Sequence, residues 1–548
     1  MHSRQGSLHC ELDAMGPSSD EESRSDVSYD HGHTQNTPLL PFRSWSPSAL
    51  KDTFFASSPK SFAWPTRLPF PHRVRRRYLL LAVVLLVALS SVPMLLSSRS
   101  DAHSLQTVPV ASSFNPPPLS SADQGEPESY EDAVSEDALP IYLRPETYLE
   151  GPAATVHFRD SLRNDTGYLT SFLSAGFTND QITIGNLIYL SMITGRIPII
   201  PPFTSYIDGA ASPLPFSEIF DVPRMALGTN TPILEWHMVK DVDRAHSENA
   251  KDEIGCWNIW EVDNVQSDGP RGSYSPILLT LDVSYTRAPA SVKLLPGYEH
   301  DSHSTFWSLA KLAFPEGRAE VLAKPEDHPT RPSGTSSVII PPDEQLVCYD
   351  YLYYVCALEP FEFDKDYSPM WRDVMVHAHW TEPLAELARG YLRRLFRLSD
   401  TASIPPFIAI HARRGDFLGW CGDVPKEDCF APLGVFARRV REVQEEVRLR
   451  HGVYVHHVIM TGDEKDQRWW DAVEERGWLR IDHAGERTAE QYGNWYPVML
   501  DAVVQSMAIG FVGTDRSTFS IMGRRRVTDW NQGAVRMVKW GYVGADDH

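Results

Sequence analysis

The stretch Phe407–Cys421, FIAIHARRGDFLGWC, decides how the rest of the chain is read. Four mostly apolar residues, Phe407 to Ile410, run into His411, Arg413, Arg414 and Asp416. A short apolar run of this kind predicts a buried strand. Two adjacent guanidiniums at its end are costly near a core unless something anionic meets them there. In an open α/β sheet, ligands collect in the crevice outside the carboxyl ends of the strands. The arginines stand where such a crevice would open.

The flanking segments supply the rest of the sheet. PLGVFARRVREVQEEVRLRHG predicts a helix closing at Gly452, YVHHVIMTG a strand, and DEKDQRWWDAVEERG a helix closing at Gly477. WLRID reads as a short strand, YPVMLDAVVQSMA as an apolar-faced helix, and IGFVG as a strand that releases into TDRSTFS. Strands alternating with helices predict a parallel sheet covered on both faces. Earlier in the chain, YLTSFLS (168–174) reads as a strand that breaks at Gly176. A polar loop, GFTNDQ, then leads to a helix, ITIGNLIYLSMIT, that ends at Gly195 and hands over to a strand, IPIIPP. That order is a βαβ unit. The Pro-rich and aromatic middle, about 203–395, carries no assignable pattern.

With 548 residues, 42% of them hydrophobic, the chain has room for two or three domains with ordinary cores. Its formal charge of −21 speaks against a nucleic-acid binder, which would show a basic face. Tyr78–Leu96, YLLLAVVLLVALSSVPMLL, is an uncharged apolar run that approaches the ~30 Å thickness of a bilayer core. Arg73, Arg75, Arg76 and Arg77 crowd its N-terminal flank, which predicts a cytosolic N-terminus and a luminal remainder, a single-pass type II topology. The expected organisation is a disordered cytosolic tail (1–77), a signal-anchor helix (78–97), and a luminal Pro/Ser/acidic stem (98–140). An N-terminal Rossmann-like domain on the acceptor side (141–395) and a C-terminal one that binds the nucleotide sugar (396–548) follow. Cys10 is cytosolic on this topology, and Cys256, Cys348, Cys356, Cys421 and Cys429 lie in an oxidising lumen. Cys348–Cys356 and Cys421–Cys429 are the plausible local pairs, and the odd count leaves at least one cysteine over. Asn164-Asp165-Thr166 is a glycosylation sequon on the same side.

The chemistry follows from residue types. A guanidinium fork suits a phosphate. Ser517, Thr518 and Ser520 offer hydroxyls, and a helix beginning near Ser517 offers free backbone N–H groups and a positive dipole end. Together these describe a diphosphate site. The structural alternative is that Arg413 and Arg414 pair with Asp416 and Asp423, and that Ser517 is an N-cap. Arg414-Gly415-Asp416 also spells an adhesion tripeptide, but directly after a buried strand it is discounted.

On these motifs the chain resembles the GDP-fucose-dependent superfamily of α1,6- and protein O-fucosyltransferases. HARRGDF looks like its H-x-R-R-x-D motif, and FVGTDRSTFS like its late G-T-x-x-S-T-F-S motif, with Asp501 in the place of an upstream acidic residue. GFTNDQ resembles its N-terminal G-F-x-N-Q segment, with Asp180 inserted between Asn179 and Gln181. The resemblance implies an α/β, GT-B architecture, two Rossmann-like domains facing a cleft, here preceded by one transmembrane helix. It implies that His411 and Asp501 contact guanine, and that Arg413 neutralises the diphosphate with help from Ser517, Thr518, Phe519 and Ser520. Asn179 would lie near the reacting sugar, with Arg414 and Asp416 supporting the loop. The implied reaction inverts GDP-β-L-fucose into an α-L-fucoside in the Golgi or endoplasmic reticulum, with no metal or cofactor beyond the donor itself.

Two D-x-D sequences, Asp241-Val242-Asp243 and Asp364-Lys365-Asp366, would suit a metal-dependent transferase, but neither clearly ends a strand. Asp180 is the candidate general base by position, and a loop-capping aspartate is the competing role. The acceptor, a protein or a glycan hydroxyl, is not encoded in any recognised motif. Two rival functions stand beside this one: the same fold using another nucleotide sugar, and a membrane-anchored binding protein that has lost transfer.

Overall fold

Tyr168–Ser171 forms β1, buried along its whole length, and Ile197–Ile200 forms the parallel β2 beside it. Between them runs the helix α1, Phe177–Thr194. Most positions of α1 are buried, polar ones such as Asp180, Asn186 and Ser191 among them, and Gly195 ends it in the left-handed conformation at φ 64°. The predicted βαβ unit is therefore present, with one correction. GFTNDQ is not a loop, because Phe177 to Gln181 already form the first turn of α1, with Gly176 at its N-cap.

The computed structural model describes residues 138–204, 211–262, 268–294 and 302–547. The expected tail, the signal-anchor helix and nearly all of the stem lie outside them. Among the described residues no helix is long and apolar enough to cross a membrane.

The unassigned middle supplies most of the first sheet. Its strands are β3 Leu234–Glu235, β4 Asp252–Asn258, β5 Leu281–Arg287, β6 Ser304–Thr305, β7 Thr330–Arg331, β8 Leu346–Tyr349 and β9 Val355–Cys356. The sheet runs β3-β2-β1-β8-β4-β5-β7, parallel except for β7, while β6 and β9 pair separately. Strand order reverses between β1 and β8, which makes that point the crevice of the N-terminal half. Parallel pairing of Trp257 with Tyr349 sets Cys256 beside Cys348, and these two form a disulfide. The expected Cys348–Cys356 pair is thus corrected, since adjacency across the sheet outweighs closeness in sequence. Cys356 is the cysteine left over, buried in β9. Cys421–Cys429 forms as expected.

The C-terminal half follows the sequence closely. After helix α2 (Glu382–Leu395) come β10 Phe407–Ala412, α3 Leu433–His451, β11 His457–Gly462, α4 Gln467–Glu474, α5 Tyr496–Ser506, β12 Gly510–Thr514, α6 Thr518–Asn531 and β13 Ala534–Val538. The sheet is all parallel in the order β11-β10-β12-β13, so its switch point lies between β10 and β12. WLRID contributes no strand of its own. Only Leu479 reaches the ladder, through a single bridge to Ile459.

One hydrophobic core crosses from half to half. Ile184 and Leu187 of α1 share it with Val503, Phe511 and Met522, whereas Ile408, Ile410, Val443 and Val458 pack on the far face of the second sheet. Polar contacts along α6 reinforce the join: Arg524 holds Asp364 at 2.6 Å, Arg525 holds Asp366, and Trp530 Nε1 donates to the Val376 carbonyl at 2.8 Å. The second D-x-D is therefore an interface anchor. In the first, Asp241 caps the helix Val242–Ser247 by accepting from Arg244 N at 3.0 Å.

Candidate active site

The switch point of the C-terminal sheet is held by one threonine. Thr514, the last residue of β12, donates through Oγ1 to the His411 carbonyl (3.0 Å) and accepts there from Arg413 N (2.9 Å). The ends of β10 and β12, which carry the two central motifs, are thus tied side by side. Gly513 lets α6 start directly over them, because a Cβ there would stand 2.7 Å from Ser520 Cβ.

His411 is 4% exposed, and its Nδ1 lies 2.7 Å from Ser520 Oγ. Ser520 Oγ also accepts from Thr514 N at 2.9 Å. Ser520 Oγ is thus shared between the Thr514 amide and the His411 ring. Burial, and secondarily Arg413, push the His411 pKa down to about 3, so the ring is neutral at physiological pH. Phe519 leans on it, with ring centroids 4.7 Å apart. Ser520 thus positions the strand ends and the histidine.

The two arginines part company. Arg414 takes the structural role: its Nε donates to Glu464 Oε2 at 2.8 Å, and its guanidinium lies 3.9 Å from the Trp469 ring centroid. Its carboxylate partner is Glu464 where the sequence suggested Asp423. Glu464 also receives Lys426, and these donors outweigh burial to hold it down at about 2. Arg413 stays partly open, steered by Asp416 (2.7 Å) and Asp463 (3.1 Å). Asp463 in turn accepts from the Arg414 and Gly415 amides at 2.7 and 3.0 Å, fixing the turn that presents Arg413.

Ser517 is the N-cap of α6, accepting from Ser520 N. The amides of Thr518 and Phe519 head the helix with no intrahelical acceptor. Thr518 Oγ1 donates to Asn179 Oδ1 at 2.6 Å and lies 2.9 Å from Thr178 Oγ1. The first turns of α1 and α6 therefore meet, bringing two positive helix ends together. All three motif islands converge here.

Asp180 is fully buried. Its Oδ1 accepts from Ser174 N (3.3 Å) and Ala175 N (3.1 Å), the loop-capping geometry, and burial raises its pKa well above the usual carboxylate range. Arg271 stands next to it, donating to Ser174 Oγ (3.1 Å) and stacking over Trp260 and Tyr351. Asp350, just past β8, accepts from the amides of Ile259 (2.9 Å), Trp260 (3.3 Å) and Arg271 (3.0 Å), and burial pushes it up to about 6. Asp501 pairs with His483 Nε2 at 3.0 Å, and no described contact joins it to His411. Although burial lowers the His483 pKa, Asp501 outweighs it and the net shift is upward.

Sequence reasoning missed Thr514, Asp463, Glu464 and Thr178 as site residues. Thr514 was in plain view as the first letter of TDRSTFS. Asp463 and Glu464 follow a predicted strand as directly as Arg413 does, and were absorbed into the helix reading of DEKDQ.

No protein-family model matches the sequence, and no curated protein does. Solved structures do match. POFUT1 in complex with GDP-fucose is 13% identical, with 69% of this chain and 99% of that one covered, at a TM-score of 0.43. NodZ α-1,6-fucosyltransferase soaked with GDP-fucose is 12% identical over 66% and 93%, at 0.32. A mutant of Arabidopsis thaliana FUT1 in complex with GDP is 11% identical over 68% and 70%, at 0.32.

Proposed function

We propose that this chain is a type II membrane fucosyltransferase that transfers L-fucose from GDP-β-L-fucose to a protein or glycan hydroxyl, with inversion and without a metal. The observation that carries the reading is the convergence of the three motif islands at one crevice. Thr518 of the late motif bonds Asn179 of the N-terminal one, while Thr514 ties the HARR strand end alongside. Arg413, held in place by Asp416 and Asp463, and the two helix ends bring hydrogen-bond donors to a sheet switch point, the chemistry that suits a nucleoside diphosphate.

In this reading the acceptor oxygen attacks the anomeric carbon as the bond from that carbon to the β-phosphate oxygen breaks. Charge grows on the departing phosphate, where a preorganised guanidinium and helix amides stabilise it. The acceptor proton passes to a base. Asp180 is the nearest carboxylate to the Asn179 turn, but its amide contacts support a capping role at least as strongly. Luminal placement is supported by the arginine cluster before Tyr78, by the two disulfides, and by the exposed turn that carries Asn164. A glycan on Asn164 that is lost in Asn164→Gln would mark the lumen, whereas an unmodified Asn164 with reduced cysteines would reverse the topology.

The test is turnover by the full chain in detergent with EDTA present, offered GDP-fucose, GDP-mannose and UDP-sugars. GDP released from GDP-fucose alone is expected. Release from another donor would select the first rival, and binding without release across an acceptor screen the second. Asp180→Asn separates base from cap: a base predicts a kcat loss of roughly 10²-fold or more with GDP affinity unchanged.

A further inference from the structure

One fully buried guanidinium lacks a carboxylate partner among the described residues. Arg526, on the third turn of α6, is 1% exposed. Its guanidinium sits among the rings of Trp380 (4.3 Å to the centroid), Trp530 (5.6 Å) and Phe220 (5.9 Å). Its hydrogen-bond acceptor is a neutral amide oxygen, Gln181 Oε1 at 2.8 Å, and its Nε has no acceptor. Among the described residues no carboxylate lies within ion-pair distance of it. The nearby arginines are treated differently, since Arg524 and Arg525 each hold an aspartate.

A buried charge with this little compensation lowers stability, and replacing such groups with apolar ones of similar volume is often stabilising. Aromatic faces attract a cation but offset only part of the lost hydration. Burial lowers the guanidinium pKa to about 9, which leaves it charged at physiological pH. Its position suggests what the charge does. Arg526 lies eight residues into α6, about 12 Å along the axis from the helix start at a rise of ~1.5 Å per residue. Its partner Gln181 lies on the first turn of α1, two residues from Asn179. The charge therefore stands behind the meeting point of the two helix ends, in an apolar surround that screens it weakly.

We propose that Arg526 is a long-range electrostatic residue of the donor site, kept unpaired so that its field acts on the bound diphosphate. The proposal rests on the diphosphate reading above. Its signature is a dependence on ligand charge, which a packing role would not produce.

Two substitutions test it in the full chain, with binding of GDP, GMP and guanosine measured by calorimetry. Arg526→Met removes the charge and keeps the bulk. Gln181→Glu leaves the arginine in place and supplies the missing counter-ion from 2.8 Å, so it tests the same field if Arg526→Met folds poorly. Both should weaken GDP by about tenfold, GMP by less and guanosine hardly at all, and neither should lower Tm. An equal loss for all three ligands, or no loss for any, would overturn the proposal. If wild-type protein bound no GDP, the donor reading would fall and pyrophosphate would become the probe. A weaker pyrophosphate complex in both variants would still support the field, and unchanged or absent pyrophosphate binding would end it.

Discussion

The two sheets share a plan and differ in what stands at their open edges. Each is a largely parallel sheet with a switch point, between β1 and β8 in one and between β10 and β12 in the other. At the second edge the ionic groups are paired in opposite signs: Arg413 with Asp416 and Asp463, in partial reach of solvent, and Arg414 with the buried Glu464. At the first edge the carboxylates of Asp180 and Asp350 are fully buried and satisfied by backbone amides, beside the aromatic residues Trp260 and Tyr351. The fold supplies a crevice twice: the first sets a single guanidinium, Arg271, among aromatic rings and buried carboxylates, and the second sets out paired ionic groups beside the start of α6. Function on such a fold has to be argued from side chains, not from topology.

The largest expected contrast is in the disulfides. Cys256–Cys348 spans 92 residues and joins two strands inside the first sheet, whereas Cys421–Cys429 spans 8 and clamps the loop after HARRGD. Loop-closure entropy predicts that Cys256→Ser with Cys348→Ser lowers stability by about 4–5 kcal/mol, against about 2–3 kcal/mol for Cys421→Ser with Cys429→Ser. Chemical denaturation of both double variants checks the order. Equal losses would mean that the bridges act on native contacts and not on the unfolded chain.

The edges should also answer pH in opposite directions. The folded-state pKa of Asp350 is raised to about 6, so its favourable contribution is complete below pH ~4 and is lost as pH rises through 6, by about 2–3 kcal/mol. Glu464 is held at about 2, so its contribution is present above pH ~4.5 and is lost as pH falls toward 2, by about 2 kcal/mol. Asp350→Asn should flatten the stability profile between pH 4 and 7, and Glu464→Gln should flatten it below pH 4.5. Denaturation midpoints across pH 2–8 decide this. A profile unaltered in its own window would remove that carboxylate from the account.

The smallest effect concerns the contact that joins the edges. Thr518→Val deletes the bonds to Asn179 and Thr178 while keeping the shape, and about 1 kcal/mol of stability should go with them. If GDP affinity also falls by a few-fold, the clasp contributes to the site. An unchanged affinity would confine it to joining the halves.

Three strands of the C-terminal half were legible because each is short, apolar and followed at once by turn or charged residues, as in FIAIHARR and IGFVGTDR, whereas β13, with Arg536 inside it, was not read. The first half hid its sheet for a physical reason. Its strands β3 to β9 are separated by long Pro-rich connections, and several are only two residues long, below what periodicity can register. GFTNDQ misled because polar residues at a helix start look like a loop, although Asn179 and Asp180 are buried or nearly so within α1. At the site, Arg413 and the Ser517 cap were readable in sequence, but their surroundings were not. Nothing in the order of residues announces that Glu464 claims Arg414, that His483 claims Asp501, or that Cys256 finds Cys348 across a strand pair.

The central claim is that Arg413 and the α6 helix end hold a diphosphate. Calorimetric titration of the full chain and of Arg413→Ala with GDP and guanosine in EDTA tests it most directly. The account predicts that wild-type protein binds GDP far more tightly than guanosine, and that Arg413→Ala loses roughly tenfold to a hundredfold toward GDP and little toward guanosine. An Arg413→Ala protein that binds GDP as well as wild type would contradict it.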